Sequence, residues 1–172
     1  MSSPTVTCTL CPHRCRIPDG ELGWCRIRYN QGGVLRAVTF NRPVTLHADP
    51  IEKKPLFHVH PGSRSFSLAT VGCNLHCINC QNAGISQAHP LDRRAYRAPA
   101  ARIIAQAKAS GCTSVALTYT DPTVYYEYAL EVGKAAMDAG LLSLWVTAGY
   151  LSRAPLLEAI PTIDAVKLDM KF

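Results

Sequence analysis

Cys73, Cys77 and Cys80, set in Val71-Gly72-Cys73-Asn74-Leu75-His76-Cys77-Ile78-Asn79-Cys80-Gln81-Asn82, constrain this chain more than any other feature. Spaced i, i+4 and i+7, the three thiols would share one face of a helix. Gly72, Asn74, Asn79, Asn82 and Gly84 oppose that arrangement, because all are poor helix formers and together they predict a loop wrapped around something. Three thiolates can hold three irons of a cubane cluster and leave the fourth iron open to a small molecule. Zinc is the alternative, with His76 or His89 completing a tetrahedral set. Structural zinc sites usually carry two Cys-x-x-Cys knuckles, and this segment has one.

The chain has eight cysteines. Residues 1–7 are short and polar, and no apolar stretch approaches the roughly 20 residues that span a bilayer. A cytoplasmic protein with no membrane partner is therefore expected, and in that compartment clustered thiols point to metal or redox chemistry rather than disulfides. Cys8, Cys11, Cys15 and Cys25 form a group of their own, in a segment with too few apolar residues to make a core unaided. Four soft ligands there predict a second metal site, either zinc or another iron–sulfur cluster. His13 reads as a surface residue, and Cys112 as a small buried one.

Apolar residues make up 48% of the chain and charged residues 17%, which fits a folded domain rather than a disordered one. The net charge of +6 arises from 18 Lys and Arg against 12 Asp and Glu, scattered without a dense basic run or interleaved aromatics. That pattern argues against a nucleic-acid partner, and a zinc-dependent nucleic-acid binder ranks last among the readings.

Residues 34–40 read as a strand, and 41–65, with Pro43, Pro50, Pro55 and Pro61, as an extended irregular connection. A regular alternation follows: strands over 66–71, 114–119, 142–147 and 165–169, and helices over 100–109, 123–139 and 152–160. Strict alternation implies an α/β fold with a parallel sheet and right-handed crossovers. Four βα units amount to half of an eight-stranded barrel. The expected architecture is a partial (β/α) TIM-like barrel over 66–172, preceded by a Cys-rich metal-binding extension and connecting loop over 1–65. Its last strand would be an apolar edge, so either another polypeptide completes the barrel or the sequence belongs to a longer gene product.

These residues resemble the radical S-adenosylmethionine (SAM) enzymes, which bind a 4Fe–4S cluster through Cys-x-x-x-Cys-x-x-Cys after the first barrel strand. The likeness extends to Cys8-Thr9-Leu10-Cys11-Pro12-His13-Arg14-Cys15 with Gly23-Trp24-Cys25-Arg26, to residues 49–58, to His60-Pro61-Gly62-Ser63 and to Ile85-Ser86-Gln87. In those stretches the chain is similar to the radical SAM enzyme of the AmmeMemoRadiSam system, a relative of the activating enzymes of glycyl-radical proteins.

The resemblance implies that Cys73, Cys77 and Cys80 ligate three irons while SAM chelates the fourth. It implies SAM contacts at Tyr119, Thr120, Asp121, Thr147, Asp169 and Lys171. Asp121 stands where the family usually has glutamate, Ala148 where a polar residue is expected, and Asn79 where an aromatic usually precedes the last cysteine. On the residues alone, Asp121 before Pro122 also reads as a helix cap, and Asp169 with Lys171 as a surface ion pair. The implied reaction is reductive cleavage of SAM to methionine and a 5′-deoxyadenosyl radical, which abstracts hydrogen from a small-molecule or protein substrate. A flavodoxin or ferredoxin would donate the electron. The rival reading is a non-catalytic iron–sulfur or zinc-binding module, or half of a split enzyme.

Overall fold

In the computed structural model, which describes residues 4–171, the amino-terminal element is built from two small hairpins. β1 (Val6–Thr7) pairs antiparallel with β2 (Arg16–Ile17), and β3 (Arg28–Gln31) with β4 (Val34–Ala37). Gly32 and Gly33, at φ of +60° and +90°, close the second hairpin. Both central residues of such a two-residue turn need positive φ, which glycine adopts without a Cβ clash.

The remainder forms one five-stranded sheet in the order β5 (Thr45–Pro50), β6 (Arg64–Ala69), β7 (Ser114–Leu117), β8 (Leu142–Thr147), β9 (Ala165–Leu168). A short α1 (Ala83–Ser86) follows the cysteine loop, which is itself non-helical as its glycines and asparagines require. Helices α2 (Ala100–Ala109), α3 (Tyr126–Asp138) and α4 (Arg153–Ala159) link the parallel strands β6 to β9. The predicted face of α2 is the buried one: Ile103, Ile104 and Ala107 pack with Val115, Leu117 and Trp145 in the main core. Every residue of β7 is buried, as expected for a parallel strand covered on both faces.

Two expectations need correction. Residues 41–65 are not irregular throughout, because Thr45–Pro50 is a strand whose six residues pair antiparallel with β6. The sheet is therefore mixed rather than wholly parallel. Thr-Leu-His-Ala-Asp-Pro has weak strand propensity, and the ladder to β6 supplies what the local sequence lacks. Pro50 is tolerated because β5 is an edge strand. Beyond it, Ile51 and Leu56 pack against Ala116 and Leu144, covering the sheet's second face. The second correction is the start of α3, which begins at Tyr126 rather than 123. Asp121 accepts the Thr123 N–H at 2.9 Å and holds the intervening residues in turns.

Among the described residues no helix is long and apolar enough to cross a membrane.

Candidate functional site

The carboxyl ends of β6, β7, β8 and β9 open onto one cleft of about 660 Å³. The loop after β6 brings Cys73, Cys77 and Cys80 to its wall, and the end of β7 brings Tyr119, Thr120 and Asp121. Thr147 and Ala148 enter from β8, and Asp169 and Lys171 from beyond β9. All nine residues singled out around the three-cysteine motif thus share one space, though they come from four separate stretches of sequence.

The cysteine loop is held from several sides. Cys73 is buried and accepts the Leu75 N–H at 3.4 Å, while its own Sγ lies 3.6 Å from the Thr120 carbonyl oxygen. Burial pushes the Cys73 thiol up to about 12, with the Asp121, Cys77 and Cys80 charges adding to the effect. A bound metal reverses this, because a coordinating thiol gives up its proton. Cys80 Sγ lies 3.3 Å from Ser86 Oγ. Asn74, wholly buried, donates from Nδ2 to the Tyr150 carbonyl oxygen at 2.8 Å.

Asp121 is 1% exposed, and its oxygens accept from Thr147 Oγ1 at 3.0 Å, the Ala148 N–H at 2.8 Å and the Thr123 N–H at 2.9 Å. Burial raises its pKa, and these donors oppose the rise. Its carboxylate therefore ties the end of β7 to the end of β8. The polar group absent from the Ala148 side chain is partly replaced by its backbone N–H, which Asp121 uses. Lys171 and Asp169 form a 2.6 Å ion pair at the cleft, with half of the carboxylate exposed. The hydrogen bond to Asp169 raises the Lys171 pKa.

The sequence reading missed the polar network beside the cysteines. Lys54 is 3% exposed, lines the cleft, and donates to Asp49 Oδ2 at 3.0 Å. Tyr119 Oη donates to the same oxygen at 3.1 Å, Ser67 Oγ lies 3.3 Å from it, and Lys53 pairs with Oδ1 at 3.1 Å. Burial alone would raise the Asp49 pKa, but the bonds from Lys54 and Lys53 outweigh it and hold the carboxyl well below the usual range. Burial also pushes Tyr119 up to about 12, beside the Asp49 charge. Tyr119 has φ of +71°, a left-handed conformation that a bulky side chain adopts only under constraint. The only local signal was membership of Lys54 in the stretch 49–58. A single lysine has no periodicity to mark it as buried.

Neither histidine proposed as a zinc ligand lines the cleft. His76 is exposed and stacks on Trp24 with ring centroids 4.7 Å apart, and His89 Nδ1 accepts the Leu91 N–H. Among the described residues no three His, Cys, Asp or Glu side chains converge as closely as a single ion requires. Cys73, Cys77 and Cys80 all line the cleft wall.

The second cysteine group lies behind this loop. Cys8, Cys11, Cys15 and Cys25 surround a void of about 20 Å³. His13 is exposed, as expected, but its Nε2 lies 2.7 Å from the Asn74 carbonyl oxygen, so it braces the cysteine loop. Cys112 is buried, also as expected.

No family model matches the sequence. The chain is 42% identical over 167 residues to uncharacterized protein MJ0808 of Methanocaldococcus jannaschii, a match covering 96% of this chain and 49% of that protein. The chain thus spans about half the length of this curated relative, whose description carries no activity.

Proposed function

We propose that the chain is the amino-terminal half of a radical SAM barrel, with Cys73, Cys77 and Cys80 holding a 4Fe–4S cluster at the mouth of the cleft. The observation that carries this reading is the meeting of the three thiols with Tyr119, Thr120, Asp121, Thr147, Asp169 and Lys171 around one cleft at the strand ends, where barrel enzymes keep their sites. When bound, such a cluster supplies the electron that cleaves SAM to methionine and a 5′-deoxyadenosyl radical, with a flavodoxin or ferredoxin as the outside donor.

The chain's own residues contribute position. Cys73, Cys77 and Cys80 would hold the metal, and Cys73 Sγ already lies 3.6 Å from the Thr120 carbonyl oxygen. Asp121 acts as a brace, keeping Thr147 and the Ala148 backbone at the cleft wall. The Asp49–Lys54 pair anchors the strained Tyr119. Lys171 and Asp169, half-exposed and paired with each other at 2.6 Å, are charged groups of the cleft able to exchange that pair for a zwitterionic ligand. The substrate is a small molecule or a protein that reaches the open cleft.

The test is anaerobic reconstitution with iron and sulfide, followed by electron paramagnetic resonance of the reduced protein with and without SAM. The expected result is a cubane signal that SAM alters, with 5′-deoxyadenosine formed under reduction. Cys77→Ala should abolish both. A loaded cluster whose spectrum ignores SAM would refute the reading.

The split-enzyme reading has its own support in β9. Val166, Leu168 and Met170 are 49%, 51% and 63% exposed along one side of the sheet's edge. An uncovered apolar edge strand is a pairing surface, and further βα units from the same or another polypeptide would cover it. In that case the chain assembles the cluster and binds SAM, but turns over only when a polypeptide supplying the remaining βα units is added.

A further inference from the structure

We infer that the substrate of this cleft carries a phosphate ester gripped by Lys53, Lys54 and Lys167; its role as substrate rests on the reading above, and the anion site on the lysines alone. The chain has six lysines and twelve arginines, which together make its 18. Four of the six lysines, Lys53, Lys54, Lys167 and Lys171, line the cleft, and none of the arginines does. Cations placed only for solubility would show no such sorting. These lysines arrive from opposite edges of the sheet, Lys53 and Lys54 from the turn after β5, Lys167 and Lys171 from β9 and just beyond it. Both edges thus deliver positive charge to one space.

That charge is not cancelled by the neighbouring carboxylates. Lys171 is matched by Asp169, and Asp121 spends its oxygens on Thr147, the Ala148 N–H and the Thr123 N–H. Lys53 and Lys54 share the single carboxylate of Asp49. Lys167 is half-buried, donates to the Leu168 carbonyl oxygen, and has no carboxylate partner among the described residues. Three ammonium groups therefore stand against one carboxylate, a surplus of two positive charges. A phosphate monoester carries about −1.5 to −2 at neutral pH and matches that surplus. The choice of lysine also favours phosphate over carboxylate. Arginine's planar fork fits a planar carboxylate, whereas a tetrahedral phosphate offers oxygens in several directions to separate point charges.

The hydrogen bonds supply a second, independent observation. Asp49 Oδ2 is within reach of three donors, Lys54 at 3.0 Å, Tyr119 at 3.1 Å and Ser67 at 3.3 Å. A carboxylate oxygen has about two lone-pair sites, so this acceptor is oversubscribed. Lys54 is buried yet lines the cleft, and its three N–H bonds meet Asp49 and, at 3.5 Å, Tyr119 Oη among the described residues. A buried ammonium with an unspent donor is costly, and a ligand oxygen would take up that donor. Tyr119 touches this lysine while the next residue, Thr120, has its carbonyl oxygen 3.6 Å from Cys73 Sγ. One dipeptide thus spans the lysine group and the thiols, so a phosphate held by the lysines leaves the rest of the ligand beside the thiols. A cleft of about 660 Å³ is of ordinary size for a small molecule.

The experiment is isothermal titration calorimetry of the full, anaerobically reconstituted chain with inorganic phosphate and, separately, with succinate as a carboxylate probe. Phosphate should bind at one site and succinate more weakly. Lys54→Ala and Lys167→Ala should each weaken phosphate about 10- to 100-fold, the loss of one hydrogen bond to a charged group. Should Lys54→Ala fail to fold, Lys167→Ala carries the test, since that side chain holds only a neighbouring carbonyl oxygen. Lys108→Ala and Lys134→Ala remove the same charge from exposed positions on α2 and α3 and should bind phosphate as the wild type does. So should the triple variant Cys73→Ser/Cys77→Ser/Cys80→Ser, which keeps the anion site separable from the cluster. Phosphate bound equally by Lys167→Ala and the wild type, or weakened equally by Lys108→Ala, would overturn the inference, as would tighter binding of succinate than of phosphate. Phosphate binding that depends on Lys167, in a chain whose loaded cluster ignores SAM, would uphold the anion site and sink only the radical SAM reading.

Discussion

Replacing Gly72 by alanine tests whether the cysteine loop is seated on the amino-terminal Cys-rich element. Gly72 has φ of +84°, and a Cβ built on it would lie 2.5 and 2.6 Å from Ile27 Cγ1 and Cδ1 and 2.7 Å from the Cys25 carbonyl oxygen. Two penalties add. The left-handed conformation costs alanine about 1 kcal/mol. Ile27 is fully buried and the Cys25 oxygen is backbone, so neither swings away, and a methyl group wedged between them costs about 1–3 kcal/mol more. Gly72→Ala should therefore destabilise the chain by about 2–4 kcal/mol. Gly62 and Gly111, at φ of +77° and +65° with nothing within 4 Å of a built Cβ, isolate the first penalty. Their alanine variants should each lose only about 1 kcal/mol. Urea denaturation followed by circular dichroism gives all three values under one protocol. If Gly72→Ala matches Gly62→Ala, the loop can lift off the amino-terminal element freely and the reasoning fails.

Thr147→Val removes the hydroxyl that donates to both Asp121 oxygens while keeping the shape, and should cost about 1.5–3 kcal/mol in denaturant titration. An unchanged midpoint would mean that Asp121 is not the brace between β7 and β8. Asp49→Asn leaves Lys54 buried without its counter-ion, a loss of about 3 kcal/mol near neutral pH. Because the folded Asp49 pKa lies below its ordinary 3.8, its contribution is complete above that value and disappears as pH falls through the folded one. The stability gap between wild type and Asp49→Asn should therefore narrow on acidification below about pH 4, and a constant gap would refute the pairing. Val166→Lys places a charge on the exposed edge of β9 and should suppress concentration-dependent self-association measured by light scattering. Equal association of both proteins would show that this edge is not a pairing surface.

The sequence by itself determined what was periodic or locally dense. Alternating apolar stretches and helix signals located β8 and α2 at their observed bounds, because a buried face repeats at a fixed spacing along the chain. The thiol spacing together with the intervening glycines and asparagines identified the non-helical loop from neighbouring residues alone. Only the tertiary structure decided the rest. β5 is a strand because β6 lies beside it, and nothing in Thr-Leu-His-Ala-Asp-Pro announces that. Asp49 meets Tyr119 across 70 positions, His13 meets Asn74 across 61, and Arg28 meets Glu127 across 99. Each such contact is made by one side chain whose partner is set by chain topology, so it leaves no repeating trace in the sequence.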